Sequence, residues 1–318
     1  MQRRELLKSG AAGLAMLAIP GSRVWAQGKK VRIGFSQATI LETWRVQFNK
    51  DMKKEAEKHA EVELIITDGQ NKTEKQVADV ENLISQGVDV LIISPKETAG
   101  LTPATLKAIA AGIPVIILDR NVDTDKYQQF IGGDNVLIGT AAGDYAVKAL
   151  GGPGKAAGNI VEIWGGMASA PAHDRHDGFA AVVAKEPGIK SLLAAIDTEW
   201  KSAKGYEIMA TALKTYEKID LVYAHNDPLA YNAYLAAKDA GREKQIKFLG
   251  IDGIPNEGVA WVAKGELTAT FLYATPGAEG VRQALKLVKG EKIEKKIVLP
   301  TLTIDAGNAA QILKDNGL

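Results

Sequence analysis

Ten short runs of β-branched and aliphatic residues, separated by helix-length segments, constrain this chain more than any other feature. Five come first: VRIGFSQ (31–37), VELIITD (62–68), VDVLIIS (88–94), IPVIILD (113–119) and QQFIGG (128–133). After a Gly-rich break, GGPGKAAG (151–158), five more follow: NIVEIWG (159–165), IKSLLAAID (189–197), IDLVYAHN (219–226), IKFLGIDG (246–253) and LTATFLY (267–273). The pieces between them, such as 43–59 and 73–86, carry apolar residues at helical spacing. Runs apolar along their whole length have no face to give to water, and strands alternating with helices pair in parallel. The pattern predicts an α/β fold with parallel sheets covered by helices on both sides. Two consecutive sets of such units give two doubly wound lobes in place of one ten-stranded sheet.

The lobes are assigned as 27–133 plus 275–291 (N-terminal) and 134–274 plus 292–318 (C-terminal), with the first crossing near Gly133-Asp134. A helix over 276–289 and a last strand over 296–301 read as returns across the hinge, and pattern alone does not fix where those returns cross.

The chain opens MQRRELLKSGAAGLAMLAIPGSRVWAQ, with a basic start, a modestly apolar stretch over 11–19, Pro20, and Val24-x-Ala26 as a small-residue cleavage pattern. Residues 1–26 therefore read as an export signal, and adjacent Arg3 and Arg4 make it the twin-arginine type. Removing it takes away four basic residues (Arg3, Arg4, Lys8, Arg23) and one acid (Glu5), so the 39 basic and 38 acidic residues become 35 and 37. Such a balance gives no electrostatic case for nucleic acid or for a membrane surface. With no cysteine there is neither a disulfide nor a residue to carry a lipid anchor, and a chain of this size buries enough surface to do without the former. A soluble monomer in a Gram-negative periplasm, with no stable membrane anchor, is the expectation.

Motifs for chemistry fail on context. Gly152-x-Gly154-x-x-Ala157 follows a helix and precedes a strand, whereas a dinucleotide fingerprint follows a strand and opens a helix. Gly154-Lys155 lacks the Ser or Thr of a P-loop. His173 and His176 stand three apart, but a metal site would want further ligands converging there and spacing alone is poor evidence for one, and no Gly-x-Ser-x-Gly elbow is present. No cofactor, no metal and no enzyme activity are expected.

Polar residues at strand ends remain. Asp119 and Arg120 follow IPVIIL, Asn226 and Asp227 follow LVYAH, and Asp252 follows KFLGI. Open α/β sheets bind ligands outside the carboxyl ends of their strands. A carboxylate that accepts hydroxyl protons beside a guanidinium that donates suits a neutral polyol. The plainer alternatives are that Asp119 caps the next segment or pairs with Arg120 at the surface, and that Asn226 only caps the helix starting at Pro228.

In order and spacing, GFSQ (34–37), DGQN (68–71), LISQGVDVLIISP (83–95), AGIPVIILDR (111–120), GGDNVLIGTAAGDY (132–145), SAPAHDRHDGF (169–179), YAHNDPLA (223–230) and GIDGIPNEG (250–258) cover essentially the whole mature chain. Together they resemble the periplasmic type I sugar-binding proteins of ABC importers, the ribose- and galactose-binding group. Glu42 with Trp44-Arg45, and YAHND, resemble the galactofuranose-binding branch in particular. The resemblance implies a monosaccharide captured between the lobes and delivered to an inner-membrane ABC permease. It places the stacking aromatic on Trp44, followed by Arg45 where ribose binders have a second aromatic. The Asp-Arg pair falls on Asp119 and Arg120, and the second-lobe contacts on Arg175, Trp200, Asn226 and Asp252. Tyr273 stands where many relatives have a polar group. Glu42 and Arg45 would suit the exocyclic diol of a furanose, unless they pair with each other at the rim. A sugar sensor feeding a chemoreceptor or kinase is the alternative function. A carbohydrate-active enzyme, needing two carboxylates from Asp119, Asp252 and Glu42, is the more distant one.

Overall fold

The computed structural model describes residues 30–318, so the export signal at 1–26 lies outside the described residues. Two six-stranded sheets form. The first takes β1 (Val31–Gln37), β2 (Val62–Asp68), β3 (Val90–Ser94), β4 (Val115–Leu118), β5 (Gln129–Gly133) and β11 (Lys296–Leu299), in the order β11-β5-β4-β3-β1-β2 and all parallel. The second takes β6 (Ala157–Ile163), β7 (Gly188–Ser191), β8 (Leu221–Ala224), β9 (Lys247–Asp252), β10 (Ala269–Leu272) and β12 (Thr303–Asp305), in the order β12-β10-β9-β8-β6-β7. There only β12 runs antiparallel, against β10.

The continuous apolar runs behave as their composition requires. In β3 every residue is buried. Val90 and Ile92 pack on Phe48, Met52 and Val281, from α1 (Thr43–Ala56) and α9 (Gly277–Val288). Leu91 and Ile93 pack on Val80, Leu83 and Leu101, from α2 (Thr73–Ser85) and α3 (Thr98–Ala110). Alternate residues thus serve opposite helix layers, each fully buried aliphatic side chain contributing about 1.5–3 kcal/mol. Helices α6 (Ser202–Thr215) and α7 (Asp227–Asp239) close one face of the second sheet, and α4 (Asn135–Ala149) and α5 (Ala170–Val183) form a pair beside the other. The short α8 (Ala260–Ala263) and α10 (Ala309–Asp315) complete the chain. No described helix is long and apolar enough to cross a membrane.

Two expectations need correction, both at sheet edges. The run 189–197 supplies only the end of β7: after Leu192, whose N–H donates to Ile160 O, residues 194–197 lie exposed. An edge strand has neighbours on one side only, and its two alanines offer little surface to bury. The segment 292–318, expected wholly in the C-terminal lobe, divides instead: β11 pairs in parallel with β5, Lys296 opposite Phe130 and Leu299 opposite Gly133. The cause is α9. Its first residue, Gly277, packs so tightly on Phe48 that an added Cβ would lie 2.5 Å from the Phe48 carbonyl oxygen. A helix seated on the first sheet returns its chain to that sheet's edge, where Phe130 N–H donates to Lys295 O and Gln129 Nε2 to Glu294 O. The last crossing therefore falls between Leu299 and Thr303.

Helices α4 and α5 touch backbone to backbone. A Cβ on Gly139 would lie 2.3 Å from Arg175 O, and one on Gly178 would lie 2.1 Å from Val136 O. Backbone cannot yield as a side chain does, so Gly178→Ala is expected to destabilise the protein by about 1–3 kcal/mol. Thermal unfolding that shows no loss of several degrees in Tm would contradict this close packing.

Candidate functional site

The carboxyl ends of the two sheets face each other across a narrow cleft that leaves a cavity of about 30 Å³ between them. All ten residues singled out from the sequence line it: Glu42, Trp44, Arg45, Asp119, Arg120, Arg175, Trp200, Asn226, Asp252 and Tyr273, with Pro171 beside them. Glu42 to Arg120 come from the first lobe and Pro171 to Asp252 from the second, while Tyr273 sits on the crossing between β10 and α9.

In the first lobe a buried ion pair organises the wall. Arg45 Nη2 lies 3.1 Å from Asp119 Oδ2, and Arg45 Nε lies 3.1 Å from Glu42 Oε2. Arg45 Nη1 donates to Gln37 Oε1 at 2.7 Å and to Ser94 Oγ at 3.0 Å. Four of its five N–H groups are thereby engaged, leaving one for a ligand. The rim pairing of Glu42 with Arg45, the plainer alternative, is present, with Glu42 still partly exposed. Asp119 is held with φ +67 just after β4, accepting from Arg45, from Ser94 Oγ at 3.3 Å and from the Tyr273 hydroxyl at 2.7 Å. It does pair with Arg120, but loosely, at 3.7 Å. Arg120 spends one N–H on Lys96 O and lies with its Cζ 5.3 Å from the Trp200 ring centre.

Electrostatics separate the two guanidiniums. Burial pulls the pKa of Arg45 down, but Asp119 and Glu42 outweigh it and the net shift is upward. Burial, then the charge of Arg45, bring Arg120 down to about 10 against the pull of Asp119. Both stay charged at neutral pH.

Trp44 is partly core: its edge meets Phe48 and its indole N–H donates to Tyr273 O at 2.7 Å. Its ring stacks on Tyr273 at 5.1 Å, and Arg175 Cζ lies 4.6 Å from the centre of the same Tyr273 ring. Arg175 donates from Nε to Asn135 Oδ1 at 2.9 Å and from Nη1 to His225 O. Trp200, at φ +63, donates to Ser169 Oγ and packs flat on Gly165 and Gly166, where any Cβ would enter the indole. Asn226 does cap α7, its Oδ1 accepting from Leu229 N–H at 3.0 Å, which leaves its amide N–H groups free to donate. Asp252, at φ +135 and almost fully buried, accepts from Tyr273 N–H through its backbone carbonyl, while its carboxylate receives no hydrogen bond among the described residues. The lining presents three guanidiniums against three carboxylates, a balance that favours a neutral ligand rich in hydroxyls.

The sequence reading missed Pro171 and a supporting layer of Gln37, Ser94, Asn135 and His225. Gln37 and Ser94 end β1 and β3, the same strand-end signal that exposed Asp119. His173 and His176 flank Trp164, and among the described residues no group of acids and histidines is arranged to hold a metal ion.

Two doubly wound lobes meeting at a polar cleft lined from both sides define a class of solute-binding proteins, and comparison with known proteins agrees. Residues 33–292 match the family model described as a periplasmic binding protein domain, and the chain belongs to that family. It is similar to the galactofuranose-binding protein YtfQ of Escherichia coli (strain K12), 37% identical over 232 residues, covering 70% of this chain and 71% of YtfQ. The ribose import binding protein RbsB of the same organism is 33% identical, over 81% of this chain and 86% of RbsB. Among solved structures, the fructose-binding periplasmic domain of the hybrid two-component system BT1754 superposes with a TM-score of 0.85 at 38% identity, over 90% of this chain and 94% of that one.

Behind Asp252 lies a second acid. Asp227 Oδ2 accepts from Gly253 N–H at 2.8 Å while its buried Oδ1 has no partner. Burial raises its pKa to about 7, and burial followed by the charge of Asp227 also raises that of Asp252, against Arg175. A carboxyl whose folded pKa is raised favours the folded state below its unfolded pKa and loses that benefit as pH climbs through the folded value. Stability should therefore fall between about pH 4 and pH 7, and Asp227→Asn should flatten that fall. Chemical denaturation across this range checks it: equal slopes in the two proteins would rule out a raised pKa at Asp227.

Proposed function

We propose that this chain is the periplasmic solute-binding component of an ABC importer, capturing a monosaccharide between its lobes and presenting it to an inner-membrane permease. The observation that carries the reading is the balanced cavity. Arg120, Arg175 and Asn226 keep donors free, Asp252 keeps a carboxylate with no protein partner, and Trp44 and Trp200 bring aromatic surface from opposite lobes. A sugar hydroxyl both donates and accepts, so this mixture satisfies it where a purely basic or acidic wall would not. No chemistry is required of the site.

A sugar that touches both lobes binds the closed arrangement better than the open one, and that difference in binding free energy drives closure. A micromolar affinity corresponds to about −8 kcal/mol. A few charge-assisted hydrogen bonds of roughly 1.5–3 kcal/mol each, less the cost of ordering the lobes, reach that value. Arg175→Ala and Asp252→Ala should each abolish sugar binding while the protein remains folded, because each strands hydroxyls inside a closed cavity. Near-normal affinity of either variant by calorimetry would overturn the assignment.

The preferred ring is a furanose. The similarity to a galactofuranose-binding protein supports this, as does Glu42 at the rim with one Arg45 N–H still free beside it. Competition settles it: glucose should fail to displace a furanose-rich sugar at equal concentration. Export through the twin-arginine route belongs to the same reading. Replacing Arg3 and Arg4 by Lys should strand precursor in the cytoplasm, and normal periplasmic accumulation on fractionation would exclude that route. A sensor role is the second reading, favoured by the likeness to the fructose-binding domain of a two-component system. An importer component restores sugar uptake to a strain lacking it, whereas a sensor restores only a transcriptional response.

A further inference from the structure

We propose that Glu162 and His225, neither of which lines the cavity, are positioning residues for sugar binding that aim Arg175 and Asn226; the inference rests on the sugar-binding reading of the cleft. His225 follows β8 and is completely buried. Its Nδ1 lies 3.1 Å from Gly165 N. A backbone amide there can only donate, so Nδ1 carries no proton and the imidazole is the neutral Nε2–H form. That Nε2–H points at Glu162 Oε1, 2.9 Å away. Both ring nitrogens are thereby fixed, one to the loop after β6 and the other to β6 itself.

The ring is a clamp on the peptide that joins His225 to Asn226. On one side of that peptide the His225 carbonyl accepts from Arg175 Nη1. On the other stands Asn226, which lines the cavity. Arg175 has one other hydrogen-bond partner for its guanidinium, Asn135 Oδ1, so the His225 carbonyl decides the direction of the remaining N–H groups. One buried imidazole therefore aims two residues of the site.

Glu162 has a second donor, His176 Nδ1, 3.0 Å from each of its oxygens. Burial raises the Glu162 pKa, but His176 and His225 outweigh it and the net shift is downward. Glu162 is thus an acceptor with no proton of its own, the species the His225 tautomer needs. Buried ionic groups return little net stability against their desolvation; what this cluster supplies is a fixed direction.

The test uses the full-length mature protein with D-galactose, whose solutions contain furanose forms, as the probe. Glu162→Gln turns a double acceptor into a group with one acceptor and one donor facing two N–H groups, so affinity should weaken about tenfold with the protein still folded. His225→Leu removes both bonds and should weaken it at least as much. His225→Gln offers an acceptor for Gly165 N–H and a donor for Glu162, and should bind within about threefold of wild type. Nitrogen-15 spectra without sugar should show His225 as the Nε2–H tautomer, with the Arg175 Nε–H resonance shifted in Glu162→Gln. Wild-type affinity in Glu162→Gln and His225→Leu, equal weakening in the two His225 variants, or an Nδ1–H tautomer would each overturn the proposal. If Arg175→Ala itself binds D-galactose normally, the reading of the cleft has failed, which is separable from failure of the clamp alone.

Discussion

The contact between Arg45 and Asp119 is the one on which the first lobe's side of the cleft depends. Both side chains are buried and their charged atoms stand 3.1 Å apart. Two charges removed from water cost several kcal/mol each, and mutual attraction offsets this only when the remaining donors and acceptors are also satisfied. Here they are, by Gln37 from the end of β1, Ser94 from the end of β3 and Tyr273 from the crossing. Four segments distant in sequence are thus held to one geometry, and removing either charge would leave the other uncompensated, at about 3–5 kcal/mol.

The second lobe reaches the same end with different parts. Among the described residues Arg175 has no carboxylate at salt-bridge distance; it is held by an amide, a backbone carbonyl and the face of Tyr273. A guanidinium without a close counter-charge is the better donor to a neutral hydroxyl, since no anion competes for its N–H groups. Tyr273 belongs to both arrangements. Its hydroxyl serves Asp119 while its ring lies between Trp44 and Arg175, and Gly133 is the residue whose missing side chain makes room for it.

Most of the fold was legible because central parallel strands are apolar on both faces, and runs such as VLIIS admit no other reading. The edges were not. β11, with its KIVL half exposed, carries too little apolar contrast to announce which sheet it joins, and that choice depends on where α9 packs. The strand-end rule found Asp119, Arg120, Asn226 and Asp252, and resemblance supplied Trp44, Arg45, Arg175 and Trp200. Neither revealed that Arg45 spends most of its donors inside the protein, because Gln37, Ser94 and Asp119 reach it only through the sheet. The near-saturation of Arg45 leaves it a single N–H to offer the cleft.

The chain passes between the lobes three times, between Gly133 and Asn135, between Leu272 and Gly277, and between Leu299 and Thr303. A single tether between two rigid bodies permits bending about two axes and twisting about a third. Three tethers side by side oppose the twist and one of the bends, because either motion would have to stretch one segment while it slackened another. What survives is one angular coordinate. Arg120 and Trp200, and likewise Trp44 and Arg175 on either side of Tyr273, must then approach and separate together along it. A molecule built this way has little access to half-assembled states in which one lobe's groups are correctly aimed and the other's are not.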